Sequence, residues 1–262
     1  MKIKLYQVDA FTDELYHGNP AAVCILKEWL SETQMQNIAA ENNLSETAFV
    51  VKVGDGYEIR WFTPLVEVNL CGHATLASAF VLFNFYCQNN QKIEFHSLKS
   101  GLLTVKKEND LIVLNFPSDI SLEVKIPELL LKAFNFTPIT AYKGKTDYLL
   151  LFSSQQEIEE LKPNFQLIYS SGVRGVIATA KGNEADFVSR FFAPFVGINE
   201  DPVTGSAHTT LIPFWSEKLG KTDLTAKQLS KRKGELNCQF LGDRVNIAGH
   251  AVLYMVGEIE IY

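Results

Sequence analysis

The alternation of apolar and polar positions opens on IKLYQVDAF, residues 3–11, which reads as a strand, and AAVCIL, residues 21–26, as a short buried one. SETQMQNIAAENN, residues 31–43, has a helical period. Ser31 can cap it, and Gln34 three residues on completes a capping box. TAFVVKV and YEIRWFT are strands hinged at the turn GDG. GHATLASAFVLFNFY, residues 72–86, is helical and almost wholly apolar, so it belongs at the centre of a core. KIEFHS, LLTVKK and LIVLNF follow as a meander with turns at KSG and END. PSDISLEVKIPE, residues 117–128, carries two prolines among polar residues and marks a domain boundary.

Beyond it the pattern resumes. PITAYKG, DYLLLF, GVIATA and DFVSRFF are strands, and GSAHTTLIPFWSEKL, residues 205–219, is a second apolar helix. Pro213 lies inside that helix, where it removes a donor and crowds the preceding turn, so a kink is expected. LTAKQLSK, ELNCQFLG, RVNIAG and the closing strand AVLYMVGEIEIY complete the chain.

The halves resemble each other. RWFTP at Arg60–Pro64 recurs as RFFAP at Arg190–Pro194, and CGHA at Cys71–Ala74 recurs as TGSA at Thr204–Ala207. The second interval is three residues longer, with the extra residues around GINEDP. Two matches in the same order and the same context point to an internal duplication of a domain, not a short-period solenoid.

Composition narrows the class. A chain of 262 residues with 47% hydrophobic content can bury a large core. Its net charge of −6 is scattered, with no basic block, which argues against nucleic acid as a partner. No apolar run approaches a membrane span and no secretory leader opens the sequence, so a soluble cytoplasmic protein is expected. Cys24, Cys71, Cys87 and Cys238 form no metal-ligand spacing and read as reduced thiols.

The candidate chemistry gathers at the two glycine-led helix starts. A helix N-terminus offers unpaired N–H groups and a partial positive charge, and two of them on one ligand would clamp a carboxylate. Gly72 and Gly205 would let a ligand approach the backbone; alternatively, each only permits a tight strand-to-helix turn. Glu46 stands between a helix and an apolar strand. It is either a capping carboxylate or, in apolar surroundings, a proton-exchanging one. His73 begins the central helix, and Asp201 precedes the second helix start by three residues. His208 falls one turn inside that helix, a place for a packing or supporting role, and His17, His96 and His250 read as structural. Cys71 at a helix start could be a base, as in racemases that use two thiols from a duplicated fold. Its counterpart in the repeat is Thr204, too weak an acid for that task, so Cys71 falls back to a small buried residue.

DAFT, GNPAAV, LSETAFV, RWFTP, CGHATLAS, DPVTGSAH and DRVNIAGHAV occur in this order over nearly the whole chain. In these motifs the sequence resembles the PhzF family, named for phenazine biosynthesis, and so a diaminopimelate epimerase-like fold. The resemblance implies an α+β protein of two similar domains. Each is a curved, mostly antiparallel sheet wrapped around a central helix, with the active site in the cleft between domains. The final strand returns to the first domain, which gives residues 1–117 plus 251–262 and residues 118–250 as the expected domains. It also implies a homodimer with no metal and no organic cofactor. The family's phenazine enzyme isomerises a dihydro-hydroxyanthranilate by moving a proton within the ring.

Carried over by motif, Glu46 of SETAF is the acid/base. His73 of GHAT, Asp201 of DPVTG and Ser206 of TGSA line the site, and Gly72 and Gly205 supply backbone donors to the substrate carboxylate. Two positions depart from the family: Asn69 stands where aspartate is common, and Lys233 where a second glycine is usual. The expectation is a cofactor-independent isomerase that moves a proton within a small carboxylate-bearing metabolite. The alternatives are an amino-acid racemase or epimerase, with Cys71 opposite Glu46, and a non-catalytic protein that binds small anions.

Overall fold

The computed structural model describes residues 1–261. The chain divides into two units, Met1–Asn115 together with the segment from Ala248 onward, and Phe116–Ile247. Residues 116–117 and 248–250 therefore fall on the other side of the division from where the sequence placed them.

The first unit contains β1 (Lys2–Ala10), β2 (Asn19–Leu26), α1 (Glu32–Asn42), β3 (Glu46–Val53), β4 (Gly56–Phe62), β5 (Glu67–Val68), α2 (Gly72–Val81), β6 (Lys92–Ser97), β7 (Gly101–Glu108) and β8 (Leu111–Pro117). The expected capping box is present on α1: Gln34 donates its backbone N–H to Ser31, and Ser31 N–H donates to the Gln34 side chain. Strand β3 is buried on both faces from Glu46 to Val51, which explains its unbroken apolar run. Phe49 and Val51 pack with Met35 and Ala39 of α1. Helix α2 lies against β1, β2 and β3.

Every residue of α2 but Phe80 is buried. Its polar residues are satisfied locally: Thr75 donates its hydroxyl to Cys71 O at 2.6 Å, and Ser78 to Ala74 O at 2.7 Å. The α-helix stops at Val81, short of the expected Tyr86, and Leu82–Tyr86 is a π-helical turn. Asn84 places its own side-chain amide on Phe80 O, and Cys87 N–H reaches back five residues to Leu82 O, so the four-residue ladder gives way there.

The second unit contains β9 (Leu122–Val124), α3 (Glu128–Leu131), β10 (Thr140–Lys143), β11 (Tyr148–Leu151), α4 (Gln155–Glu159), α5 (Phe165–Ser170), β12 (Val176–Lys181), β13 (Phe187–Ala193), β14 (Ile198–Asp201), α6 (Gly205–Leu219), β15 (Asp223–Gln228), β16 (Gly234–Phe240) and β17 (Arg244–Gly249). The last strand, β18 (Ala251–Glu260), belongs to the first unit. Strand β9 lies inside the segment expected to be a linker. Helices α3, α4 and α5 are too short to show a period in sequence. Ser154 and Asn164 cap α4 and α5 by accepting from Glu157 N–H and Leu167 N–H, while α3 follows Pro127 without a side-chain cap.

The duplication extends to strand pairing. In the first unit β1 is antiparallel to β2, β2 parallel to β3, β3 antiparallel to β4, β4 antiparallel to β5 and parallel to β6, and β6 antiparallel to β7. In the second unit β10 to β16 repeat that series: β10 antiparallel to β11, β11 parallel to β12, β12 antiparallel to β13, β13 antiparallel to β14 and parallel to β15, and β15 antiparallel to β16. Each repeat also gives its last strand to the other unit. β9 follows the first repeat and pairs with β10, while β18 follows the second and pairs with β1.

One partly buried interaction recurs with the topology. Arg60 holds Glu67 through a guanidinium–carboxylate fork, with Nε to Oε1 at 2.7 Å and Nη2 to Oε2 at 2.8 Å. Arg190 holds Glu200 in the same way, at 2.7 and 2.9 Å. Each guanidinium also sits over a phenylalanine two residues on, Arg60 at 5.2 Å from the Phe62 ring and Arg190 at 5.1 Å from Phe192. The three extra residues of the second repeat lie between Arg190 and Glu200, so the fork spans the insertion and closes on the equivalent carboxylate.

Pro213 is tolerated for a visible reason. It cannot donate to Thr209 O, and the backbone N–H of Asp119 does so instead at 3.0 Å. The Asp119 carboxylate meanwhile accepts from Thr210 Oγ1 at 3.0 Å. Lys233 has φ +58°, which explains why glycine would suit that position.

Breaking either fork by Glu67→Ala or Glu200→Ala is expected to cost about 1–3 kcal/mol, below the value for a fully buried pair because both forks are partly solvated. Chemical denaturation measures this, and two losses under 0.5 kcal/mol, the range of a surface pair, would remove the structural role.

Candidate active site

The first unit brings Glu46 and His73 together. Ala21 of β2 pairs with Glu46, the first residue of β3, so the starts of the two parallel strands lie at the same end of the sheet, where α2 also begins. Glu46 Oε2 is 3.0 Å from His73 Nε2. That oxygen is buried, and among the described residues no hydrogen bond is aligned on it. On the other side of the ring, Asn19 Nδ2 is 3.0 Å from His73 Nδ1.

Gly18 delivers Asn19 to that place. Its φ is +62°, and a Cβ there would stand 2.2 Å from Ala10 O, so only glycine makes the turn into β2. Asn19 is fully buried although it opens an apolar strand. That lone amide ahead of PAAVCIL was the signal the sequence offered and the motif reading did not use.

Cys71 also belongs to this cluster. Its Sγ lies 3.5 Å from His73 Nδ1 and 3.9 Å from Nε2, and donor atoms of Glu46, Cys71 and His73 all lie within 4.8 Å of one another. The sequence set Cys71 aside as packing. It is buried, but it is packed against the ring of a candidate site residue.

The electrostatics follow from burial and charge. The Cys71 thiol is pushed up to about 11, first by burial and then by the Glu46 charge, so it keeps its proton at neutral pH. Burial pulls the proton affinity of His73 down, but the neighbouring Cys71 and Glu46 raise it by more, and the net shift is well above the ordinary histidine value. A ring protonated on both nitrogens pairs with Asn19 after a half-turn of its amide, which then presents oxygen to Nδ1.

The second unit builds a different set at the equivalent helix start. Thr204 donates its hydroxyl to Asp201 Oδ2 at 2.5 Å, and Gln228 locks both residues, donating to Asp201 O at 2.8 Å and accepting from Thr204 N–H at 2.9 Å. Gly205 and half-buried Ser206 begin α6. His208 is fully buried, its Nδ1 is 2.8 Å from Thr204 O, and burial lowers its pKa to about 4. Gln228, on β15, was not anticipated, because a glutamine in a half-apolar strand gives no sign of its tertiary partner.

The two central helices share one further property. Ser31, Ser154 and Asn164 cap their surface helices through side chains, whereas neither Cys71 nor Thr204 does so for α2 or α6. Cys71 is a poor acceptor, and the Thr204 hydroxyl is directed to Asp201. First-turn N–H groups at both starts are thus left without the usual side-chain acceptor.

Comparison with known proteins places the chain. The family model described as phenazine biosynthesis-like protein matches residues 8–257. The chain belongs to the phenazine biosynthesis-like family. An uncharacterized isomerase of Pseudomonas aeruginosa is 50% identical over 262 residues, with both chains covered in full. The crystal structure of a PhzF family protein of Enterococcus faecalis matches with a TM-score of 0.96 at 45% identity, covering all of both chains. A predicted epimerase of P. aeruginosa, 16% identical with a TM-score of 0.74, covers 99% of this chain and 100% of its own, and shows the shared fold alone. This phenazine biosynthesis-like protein therefore has the α+β, diaminopimelate epimerase-like fold, and its family and named relatives make it an isomerase-type enzyme. No helix among the described residues is long and apolar enough to cross a membrane.

The two buried histidines should titrate in opposite senses. The pKa of His73 is higher folded than unfolded, so its contribution to stability is complete below about 6.5 and is lost as pH rises through the raised value. For His208 the folded value is depressed, so stability is lost as pH falls from about 6.5 through about 4. Imidazole NMR is expected to show His73 charged at neutral pH, His208 neutral down to about pH 4, and a fall in the His73 value on Glu46→Gln. A His73 that titrates below the ordinary histidine value would contradict the assigned Glu46–His73 coupling.

Proposed function

We propose that this enzyme moves a proton between two carbons of a small carboxylate-bearing metabolite, with Glu46 as the general acid/base. The observation that carries this is the buried Oε2 of Glu46, 3.0 Å from His73 Nε2 yet with no hydrogen bond aligned on it. A carboxylate held against a buried imidazole is oriented for proton transfer, which supports that role. The Glu46 carboxylate takes a proton from an activated carbon, becomes the acid, and returns it to another carbon of the same conjugated system. His73 remains charged throughout, steadies the carboxylate and offers its charge to the electron density that builds up on the substrate. Gly72 and Gly205 lend backbone N–H groups to the substrate carboxylate, and Asp201 and Ser206 contact its polar substituents. Neither Cys71 nor Thr204 makes a side-chain cap bond, which supports an acceptor of another kind at each helix start.

The position of Cys71 bears on the racemase alternative. Two bases that invert one carbon attack from opposite faces at about 3–3.5 Å each, so they stand about 6–7 Å apart. Cys71 and Glu46 lie within 4.8 Å of each other, both around the His73 ring. That spacing supports a single-base shift over inversion by a Glu46–Cys71 pair.

The test is a panel of small amino- and hydroxy-substituted carboxylates incubated with the enzyme in D2O, with carbon-bound hydrogen followed by NMR. A substrate should isomerise, and Glu46→Gln should lower turnover by about 10²–10⁴-fold while ligand-induced thermal stabilisation persists. Full turnover by Glu46→Gln would sink the assignment. Intact binding with no turnover of any ligand by the native protein would favour the anion-binding alternative.

A further inference from the structure

We propose that Asn19 is a positioning residue for the proton transfer: its amide holds Nδ1 of His73 and so keeps the Nε2–H of the ring directed at Glu46. The catalytic half of this proposal rests on the reading of Glu46 as acid/base; the hold on the ring does not.

Glu46, Asn19 and Cys71 all meet the ring. Glu46 Oε2 stands 3.0 Å from Nε2, Asn19 Nδ2 stands 3.0 Å from Nδ1, and Cys71 Sγ lies 3.5 Å from Nδ1 and 3.9 Å from Nε2. The sulfur is nearly equidistant from the two nitrogens and gives the ring no direction. A half-turn of the imidazole about its Cβ–Cγ bond would put Cδ2 in the place of Nδ1 and Cε1 in the place of Nε2. With Asn19 present, that turn loses a hydrogen bond at each nitrogen instead of one only. An amide also suits Nδ1 in either charge state. Its oxygen accepts from the Nδ1–H of a charged ring, and its nitrogen donates to the bare Nδ1 of a neutral one. Both arrangements leave a proton on Nε2, where it faces the Glu46 carboxylate.

The backbone fixes Asn19 from both sides. The positive φ of Gly18 admits no side chain, since a Cβ there would also stand 2.7 Å from Thr12 Cγ2. Pro20 follows, and a residue before proline is confined to extended backbone. Asn19 itself pairs with Ala10 of β1 and is fully buried. The second repeat supplies the contrast. Ser206 stands where the first repeat has His73, and GKTDY, residues 144–148, which leads into β11, the counterpart of β2, contains no asparagine or glutamine. The amide occurs in the half that has a ring to hold.

An uncharged partner is what the place requires. The titratable groups that face His73 are Cys71 from the cap of α2 and Glu46 from β3. On β1, Asp9 lies opposite Pro20, and its carboxylate accepts from Tyr16 N–H at 2.9 Å. A carboxylate in place of Asn19 would hold the His73 charge from the far side and draw it away from Glu46. An apolar side chain would leave Nδ1 buried without a partner. Aspartate and leucine are both close to asparagine in size, yet they push the proton affinity of His73 in opposite directions. A packing role for Asn19 predicts no such opposition.

The test is imidazole NMR on the full chain with isotope-labelled histidine, comparing Asn19→Leu and Asn19→Asp with the native protein. Asn19→Leu is expected to hold the His73 proton about tenfold less tightly and Asn19→Asp about tenfold more tightly, because a hydrogen-bond acceptor favours the charged ring and an anionic one favours it further. The amide spectrum checks the fold, and His208, buried and neutral, should not move in either variant. On the substrate found with the carboxylate panel, Asn19→Leu should lower kcat about tenfold or more with KM within about twofold. Asn19→Asp should keep more of the rate, since the ring keeps its place. The proposal is overturned if both variants move His73 in the same direction, if Asn19→Leu leaves its proton affinity unchanged or raises it, or if Asn19→Leu keeps the native kcat. Should one variant misfold, the shift of His73 in the other decides alone, and an unchanged His73 overturns the proposal. A His73 that shifts as expected beside full turnover by Glu46→Gln would leave the hold on the ring standing and remove only the acid/base reading.

Discussion

The guanidinium–carboxylate fork that precedes each central helix is the constraint on which the rest depends. Arg60 and Glu67 join β4 to β5, and Arg190 and Glu200 join β13 to β14. In each case the chain leaves the sheet, is held by a fork with both bonds made, and then turns into a helix that is largely buried. A buried helix has little freedom to slide, so the forks and the sheet together set where its first turn lies. Those first turns carry Cys71, Gly72 and His73 in one unit and Thr204, Gly205 and Ser206 in the other. The fork also explains how a three-residue insertion was absorbed. The added residues lie within the fork, so the helix start downstream keeps its place.

From that shared frame the two units have diverged in chemistry. The first gathers groups that exchange protons or bear charge, Glu46 against His73, with Asn19 and Cys71 around the ring. The second gathers neutral side chains, Thr204 and Gln228, about the Asp201 carboxylate, with a buried and uncharged His208 behind it. The same local need is met in both. Thr75 bonds Cys71 O and His208 bonds Thr204 O, each one turn past the cap. Two buried histidines are shifted in opposite directions by what faces them. Glu46 stands beside His73, and the aromatic ring of Phe187 beside His208. This is burial and a neighbouring anion acting in opposite directions on the same side chain.

Much of the architecture was legible in the chain. The strands, the capped helix from Ser31, both central helices and the internal repeat all follow from periodicity and recurring motifs. The limits were local. Three helices of four to six residues leave no period, β9 hides in a proline-flanked polar stretch, and the end of α2 turns on a side-chain amide, Asn84, competing for a backbone carbonyl. Distinctive motifs named Glu46 and His73, which the fold brings within 3.0 Å of each other. Asn19 and Gln228 were missed because one polar residue in an apolar strand does not announce its partner. Cys71 was set aside by comparison with Thr204, a sound inference about a pair of thiols that carried no information about its neighbour His73.

The sequence by itself determined the secondary elements, the duplication and the family, because these depend on spacing along the chain. It also determined that a carboxylate and a histidine would stand at the starts of a buried strand and a buried helix. Only the tertiary structure decided which groups share one electrostatic environment. Asn19, Glu46, Cys71 and His73 meet because β2 and β3 run parallel with their starts at one end, where α2 begins. Proton affinity and ligand geometry depend on separations of 3–5 Å between residues far apart in the chain, and folding is what sets those separations.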